Sequence, residues 1–201
     1  MFITEKRNNV SIKYGSFCKK NFLAPLDIKL SVLNTCAKAS LIYSCETWGG
    51  LCFKSAETAY RQGLKTALSI RDSINNEVVY LESGSWPLQI NIAKQQIKFW
   101  MSLKKLMDDK PLHYLSNLIN TATVENITYI RYYENLITKY GSAKACESVM
   151  RDDFTRIWKE KIQNDFNTDV DSRLGAYLRI NTDLSKPKYE NVLEFQRVHI
   201  T

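Results

Sequence analysis

The chain has 201 residues and a formal net charge of +7, with 44% hydrophobic, 11% aromatic and 24% charged residues. This composition is typical of a folded globular protein, and no apolar run approaches the about 18 residues that a membrane span needs. The start, MFITEKRNNV, lacks the apolar core of a signal peptide. Together with five irregularly spaced cysteines, it leads us to expect reduced thiols and an intracellular location, cytoplasmic, nuclear or both.

The positive charge is concentrated near the N-terminus. Residues 1–72 hold 11 Lys and Arg against 5 Asp and Glu, whereas residues 73–201 hold 17 against 16. A concentrated positive field attracts phosphate backbones without reading their sequence. The alternative is ordinary solubilising charge.

The spacing of apolar residues predicts helices along the chain and shows no convincing alternation of period two. We predict a helix that opens at Pro25 and ends near Trp48, where Gly49 and Gly50 follow. Ser55 is predicted to cap a second helix. The apolar stripe of that helix comprises Ala56, Ala59, Tyr60, Gly63, Leu64, Ala67 and Leu68. Its small residues would let another helix approach closely.

Clear start and stop signals follow. Asn75 is predicted to cap a short helix that runs through Glu82 and is closed by Gly84. Pro87 is predicted to start a long helix that ends at about Met107. Further helices are predicted at 112–120, 126–139, 143–149, 152–164, 172–180 and 189–198. We therefore expect an all-α, multi-helix bundle of two loosely divided units, a basic one at 1–110 and a neutral one at 111–201.

The residues that enzymes and metal sites require are not arranged for either role. The cysteines form no pair at zinc-ligand spacing, and the only histidines are His113 and His199. No glycine-rich phosphate loop occurs. Because Asp152 and Asp153 precede an apolar helical stripe, we interpret them as charges at a helix N-terminus and not as metal ligands. We expect no catalytic residues, no bound metal and no cofactor.

Four segments resemble one known family when they are taken in order. They are LDIKLSVLNTCAKASLIYSCETWGG, YRQGLKTALSIRDSINNEVVYLESGSWPL, IKFWMSLKKL and SRLGAYLRINTDLSKP. Together they are similar to the region after the catalytic palm in reverse transcriptases of LINE-like, non-LTR retrotransposons. The resemblance spans residues 15–198.

This resemblance implies the thumb and post-thumb part of a polymerase, without palm or endonuclease. The family's metal-binding carboxylates lie in an aromatic-Ala-Asp-Asp hairpin upstream, which these residues lack. The stretch from Met150 to Asp153 imitates that hairpin only superficially, because Arg151 stands where the family has Ala. We expect no enzyme activity, and a fragment that grips primer-template while a separate palm performs the synthesis.

The candidate nucleic-acid-binding residues form two rows of cations. They are Lys54, Arg61 and Lys65 on the second helix, and Lys94, Lys98 and Lys105 on the long helix opposite its apolar side. The expected partner is the phosphate backbone of RNA, DNA or their hybrid. Tyr43, Trp48 and Trp86 are candidates for stacking on bases, with core packing as the alternative.

Two other functions stay open at this point. One is a helical protein-interaction or scaffold module without nucleic-acid binding, for which the tyrosine-rich C-terminal half would supply a surface. The other is membrane-surface binding by the amphipathic helix at 87–107, whose apolar face is also needed to build a core.

Overall fold

The computed structural model describes residues 2–46, 53–107 and 124–168. Within these ranges every regular element is a helix, which confirms the all-α prediction. The helices predicted at 112–120, 172–180 and 189–198 lie outside the described residues. So does the predicted boundary between the two units, which stays a prediction.

The N-terminal helix α1 (Phe2–Lys20) was not among the predicted elements. It turns two core residues inward, Tyr14 and Cys18. The Tyr14 hydroxyl donates to the Lys29 carbonyl at 2.9 Å, and the Lys29 ammonium donates to the Phe22 carbonyl at 2.8 Å. The first bond ties α1 to the helix that follows, and the second ties that helix to the turn between them.

That next helix opens at Pro25, as predicted, and is continuous to Ile42. It consists of α2 (Leu26–Val32), a π-helical turn (Leu33–Ala37) and α3 (Lys38–Ile42). The predicted end near Trp48 was wrong, because Ser44 already adopts a left-handed backbone with φ of 57°. Helical hydrogen bonding does not pass such a residue.

Helix α4 (Phe53–Ala67) lies at the centre of the fold and packs against α1, the π-helical turn, α3, α5 and α6. Its predicted apolar stripe is confirmed, since every member is buried. The predicted cap at Ser55 was wrong, because the helix already begins at Phe53. A Cβ added at Gly63 would lie 2.5 Å from Leu33 Cδ1, so the predicted close approach of a second helix is confirmed.

Helices α5 (Asn76–Ser83) and α6 (Leu88–Met107) follow the predicted signals. The Asn75 side chain accepts the Glu77 N–H at 3.3 Å, and Gly84 closes α5 with φ of 61°. The apolar face of α6 includes the buried Ile90 and Ile97.

The C-terminal part contains α7 (Val124–Tyr140), as predicted, and α8 (Ala143–Thr168). The two helices predicted at 143–149 and 152–164 are one helix, so the placement of Asp152 and Asp153 at a helix N-terminus was wrong. Both carboxylates lie in the middle of α8, where Asp153 pairs with Arg156 at 3.1 Å.

Trp158 of α8 completes the core that the N-terminal helices build. Its ring stacks on Tyr80 of α5 with centroids 5.4 Å apart and on Trp86 with centroids 5.7 Å apart. A second apolar cluster joins α6 to the start of α8. Its buried members are Ile90, Ala93, Ile97, Cys146 and Met150.

Candidate nucleic-acid interface

The three candidate cations of α4 differ in accessibility. Lys54 is exposed, and Arg61 is half-buried with its guanidinium donating to Thr58 Oγ1 at 3.3 Å. Lys65 is only 7% exposed, and its ammonium donates to the Asp72 carbonyl at 2.6 Å. Burial lowers the pKa of Lys65. Its ammonium closes the turn between α4 and α5, which argues against a role for Lys65 in phosphate binding.

Lys54 and Arg61 line one cavity of about 450 Å³, which we call the α4 cleft. Its walls come from α4, α5, the start of α6 and α8. The aromatic residues in these walls are Phe53, Tyr80, Phe154 and Trp158. The cleft thus combines cations at one side with apolar surface.

The carboxylates of the α4 cleft are masked by burial and by an ion pair. Glu57 is 8% exposed and accepts the Tyr80 hydroxyl and, at 3.2 Å, the Gln89 N–H. Burial raises the pKa of the Glu57 carboxyl. Glu77 pairs with Lys161 at 2.7 Å. Both carboxylates of the cleft lining thus have partners within the protein.

The row of candidate cations on α6 is only partly available for contact with phosphates. Lys94 forms an ion pair with Glu147 of α8, so this cation holds two helices together. Lys98 and Lys105 are exposed and stay on the same face of α6. The apolar side of this helix is occupied by the core, as at Leu88 and Ile97, which are 0% exposed. This packing speaks against membrane-surface binding by 87–107.

The three candidate stacking residues have different environments. Tyr43 is 70% exposed on the turn that follows α3, whereas Trp48 lies outside the described residues. Trp86 stacks on Trp158, and the Arg151 guanidinium covers its ring at 5.2 Å from the centroid. This packing favours the core alternative for Trp86 over stacking on bases.

Sequence reasoning missed a cluster of charges at which three helices meet. Lys38 of α3 and Arg151 of α8 line a cavity of about 170 Å³ together with Glu147. Lys94 of α6 reaches the same carboxylate. No local pattern announces this cluster, because its members are distant in sequence and are brought together only by helix packing.

Comparison with models of protein families, with curated proteins and with solved structures found no match for this chain. Among the described helices, none is both long and apolar enough to cross a membrane. In the same part of the chain, no three His, Cys, Asp or Glu side chains are grouped closely enough to hold a metal ion.

Proposed function

We propose that this chain is a non-catalytic, nucleic-acid-binding fragment similar to the thumb of a reverse transcriptase. It would grip the primer-template backbone for RNA-directed DNA synthesis by a palm outside this chain. The observation that supports the proposal is the α4 cleft, where Lys54 and Arg61 line a cavity whose two carboxylates, Glu57 and Glu77, already bond to protein partners. The thumb assignment itself rests on the sequence resemblance.

The described residues leave four of the six candidate cations for phosphate contact. They are Lys54, Arg61, Lys98 and Lys105. Each phosphate contact on duplex DNA contributes about −0.9 to the slope of log affinity against log salt. Four contacts give a slope of about −3.6, so affinity falls on the order of 100-fold between about 50 and 200 mM salt. Phosphate contacts position a helix without reading bases, so little sequence preference is expected.

The test is binding of a short RNA–DNA hybrid at several salt concentrations, for the wild type and two paired variants. Lys54→Gln with Arg61→Gln neutralises the α4 cleft. Lys19→Gln with Lys20→Gln removes the same charge from two exposed residues at the end of α1. We expect the cleft variant to flatten the salt slope by about 1.8 and the control to leave it unchanged. An equal change in both variants, or no binding by the wild type, would contradict the proposal.

A second candidate, the protein-interaction module, is favoured by apolar residues exposed around the corner between α1 and α2. Ile12 is 69% exposed, Phe22 70%, Leu23 82% and Ile28 48%. Phe22 and Leu23 are neighbours in sequence, and exposed apolar patches mark interaction sites. Sedimentation equilibrium of the wild type and of Phe22→Ser with Leu23→Ser tests this candidate. If the protein is an interaction module, the wild type associates and the variant associates more weakly.

A further inference from the structure

A second polar cavity lies where the π-helical turn, α3, the start of α6 and α8 meet. Its volume is about 170 Å³, well above what one water molecule needs. The polar residues that line it include Asn34, Lys38, Ser85, Asn91 and Arg151. It shares no lining residue with the α4 cleft. We call it the α8 pocket.

The charge of the α8 pocket is unbalanced. Glu147 accepts a hydrogen bond from the Arg151 guanidinium at 2.6 Å and also forms an ion pair with Lys94. Lys38 lies close enough to this carboxylate to lower the pKa of Glu147, after the larger effect of the hydrogen bond from Lys94. Glu57 is a second carboxylate that acts on Lys38, with a larger effect than Glu147. Three cations thus face two carboxylates, and one positive charge remains in excess.

Neighbouring aromatic rings hold two of these cations. The Arg151 guanidinium lies 5.2 Å from the centroid of the Trp86 ring, and the Lys38 ammonium lies 5.8 Å from that of Tyr60. Such contacts restrict the cation without neutralising it. Arg151 has five N–H donors, so several remain beside the one that Glu147 accepts.

Neutral donors complete the lining. The Tyr60 hydroxyl donates to Asn34 Oδ1 at 2.8 Å, so the remaining polar group of Asn34 is its NH₂, a pure donor. Excess positive charge combined with an amide donor is the kind of set that binds phosphate oxygens.

We propose that the α8 pocket binds one phosphate group, with Arg151 and Lys38 as its charged ligands and Asn34 as a neutral donor. Binding would offset the charge excess that the three cations leave around Glu147. Burial, and next the charge of Arg151, lower the pKa of Lys38, and a bound anion would reverse that effect. The phosphate group could come from free phosphate or from a nucleic-acid backbone.

The test is a titration of the ¹⁵N-labelled chain with inorganic phosphate at constant ionic strength, followed by amide shifts. We expect saturable shifts at Gly84, Ser85 and Asn91. Arg151→Gln should weaken phosphate binding about tenfold, because a charge-assisted hydrogen bond is lost. Arg156→Gln is the matched control, since Arg156 is also an exposed α8 arginine with a carboxylate partner, and it should leave binding unchanged.

Shifts that never saturate, or equal weakening by both arginine variants, would overturn the proposal. If circular dichroism shows that Arg151→Gln is unfolded, Lys38→Gln takes its place with the same expectation. A short oligonucleotide without a terminal phosphate separates the sources. If the oligonucleotide shifts the pocket amides, the source is a backbone phosphate. If only inorganic phosphate shifts them, the source is the free ion. Neutralising Lys54 and Arg61 should not alter the phosphate shifts, so failure of the α4 cleft proposal is measured separately.

Discussion

Trp158 provides the sharpest test of how the C-terminal helix is attached to the rest of the protein. It is 6% exposed and stacks on Tyr80 and Trp86. Burying roughly 200 Å² of tryptophan at about 25 cal/mol per Å² contributes about 5 kcal/mol. A compact unfolded chain reduces that figure by roughly 10–40%. We therefore expect Trp158→Ala to lower the free energy of unfolding by about 4 kcal/mol, a large share of the stability of an ordinary domain.

The assay is urea unfolding followed by far-UV circular dichroism. Ile157→Ala is the matched control, because Ile157 is the neighbouring residue on α8 and is 49% exposed. It should cost less than about 1 kcal/mol. A loss below about 1 kcal/mol for Trp158→Ala would refute the packing of α8 against the N-terminal core.

Three further predictions concern buried polar groups. Burial raises the pKa of Cys45 to about 12, whereas Cys36 is exposed. In a Cys52→Ser background, a thiol reagent at neutral pH should therefore label Cys36 about a thousandfold faster than Cys45. Burial raises the pKa of Glu57, so the folded state binds the proton of this carboxyl more tightly than the unfolded chain does. The free energy of unfolding should therefore fall as pH rises above 4.5, the ordinary pKa of the group. Urea midpoints at about pH 5 and about pH 8 should show less of this fall in Glu57→Gln. Gln96→Leu should cost about 2 kcal/mol in urea unfolding, because this fully buried amide donates to a backbone carbonyl at 2.9 Å and accepts a tyrosine hydroxyl at 3.1 Å.

The sequence predicted best those helices whose signals are local. Asn75 and Gly84 cap α5 through their own backbone and side-chain geometry, and the stripe of α4 repeats without interruption. The helix α1 was missed because, among its side chains at 8–20, which the structure describes, only Tyr14 and Cys18 are buried. An exposed helix of this kind carries little apolar periodicity.

The candidate site was predicted less well, because availability of a cation depends on tertiary partners. Lys65 has the helical spacing of a phosphate ligand, but the turn after α4 brings the Asp72 carbonyl to its ammonium. Lys94 shares a face with Lys98, but α8 brings Glu147 to it. Helical periodicity places a lysine on a face. It does not reveal which carboxylate or carbonyl another element brings to that face.

The continuity of α8 links the core to the α8 pocket. Residues seven apart lie nearly above one another on a helix, so Arg151 and Trp158 share one side of α8. Both contact Trp86, the guanidinium over the ring at 5.2 Å and the indole stacked at 5.7 Å. A helix broken between 149 and 152, as the acidic pair suggested, would have carried these two side chains on separate segments. Because the helix is unbroken, the packing that stabilises the core also positions the arginine of the pocket.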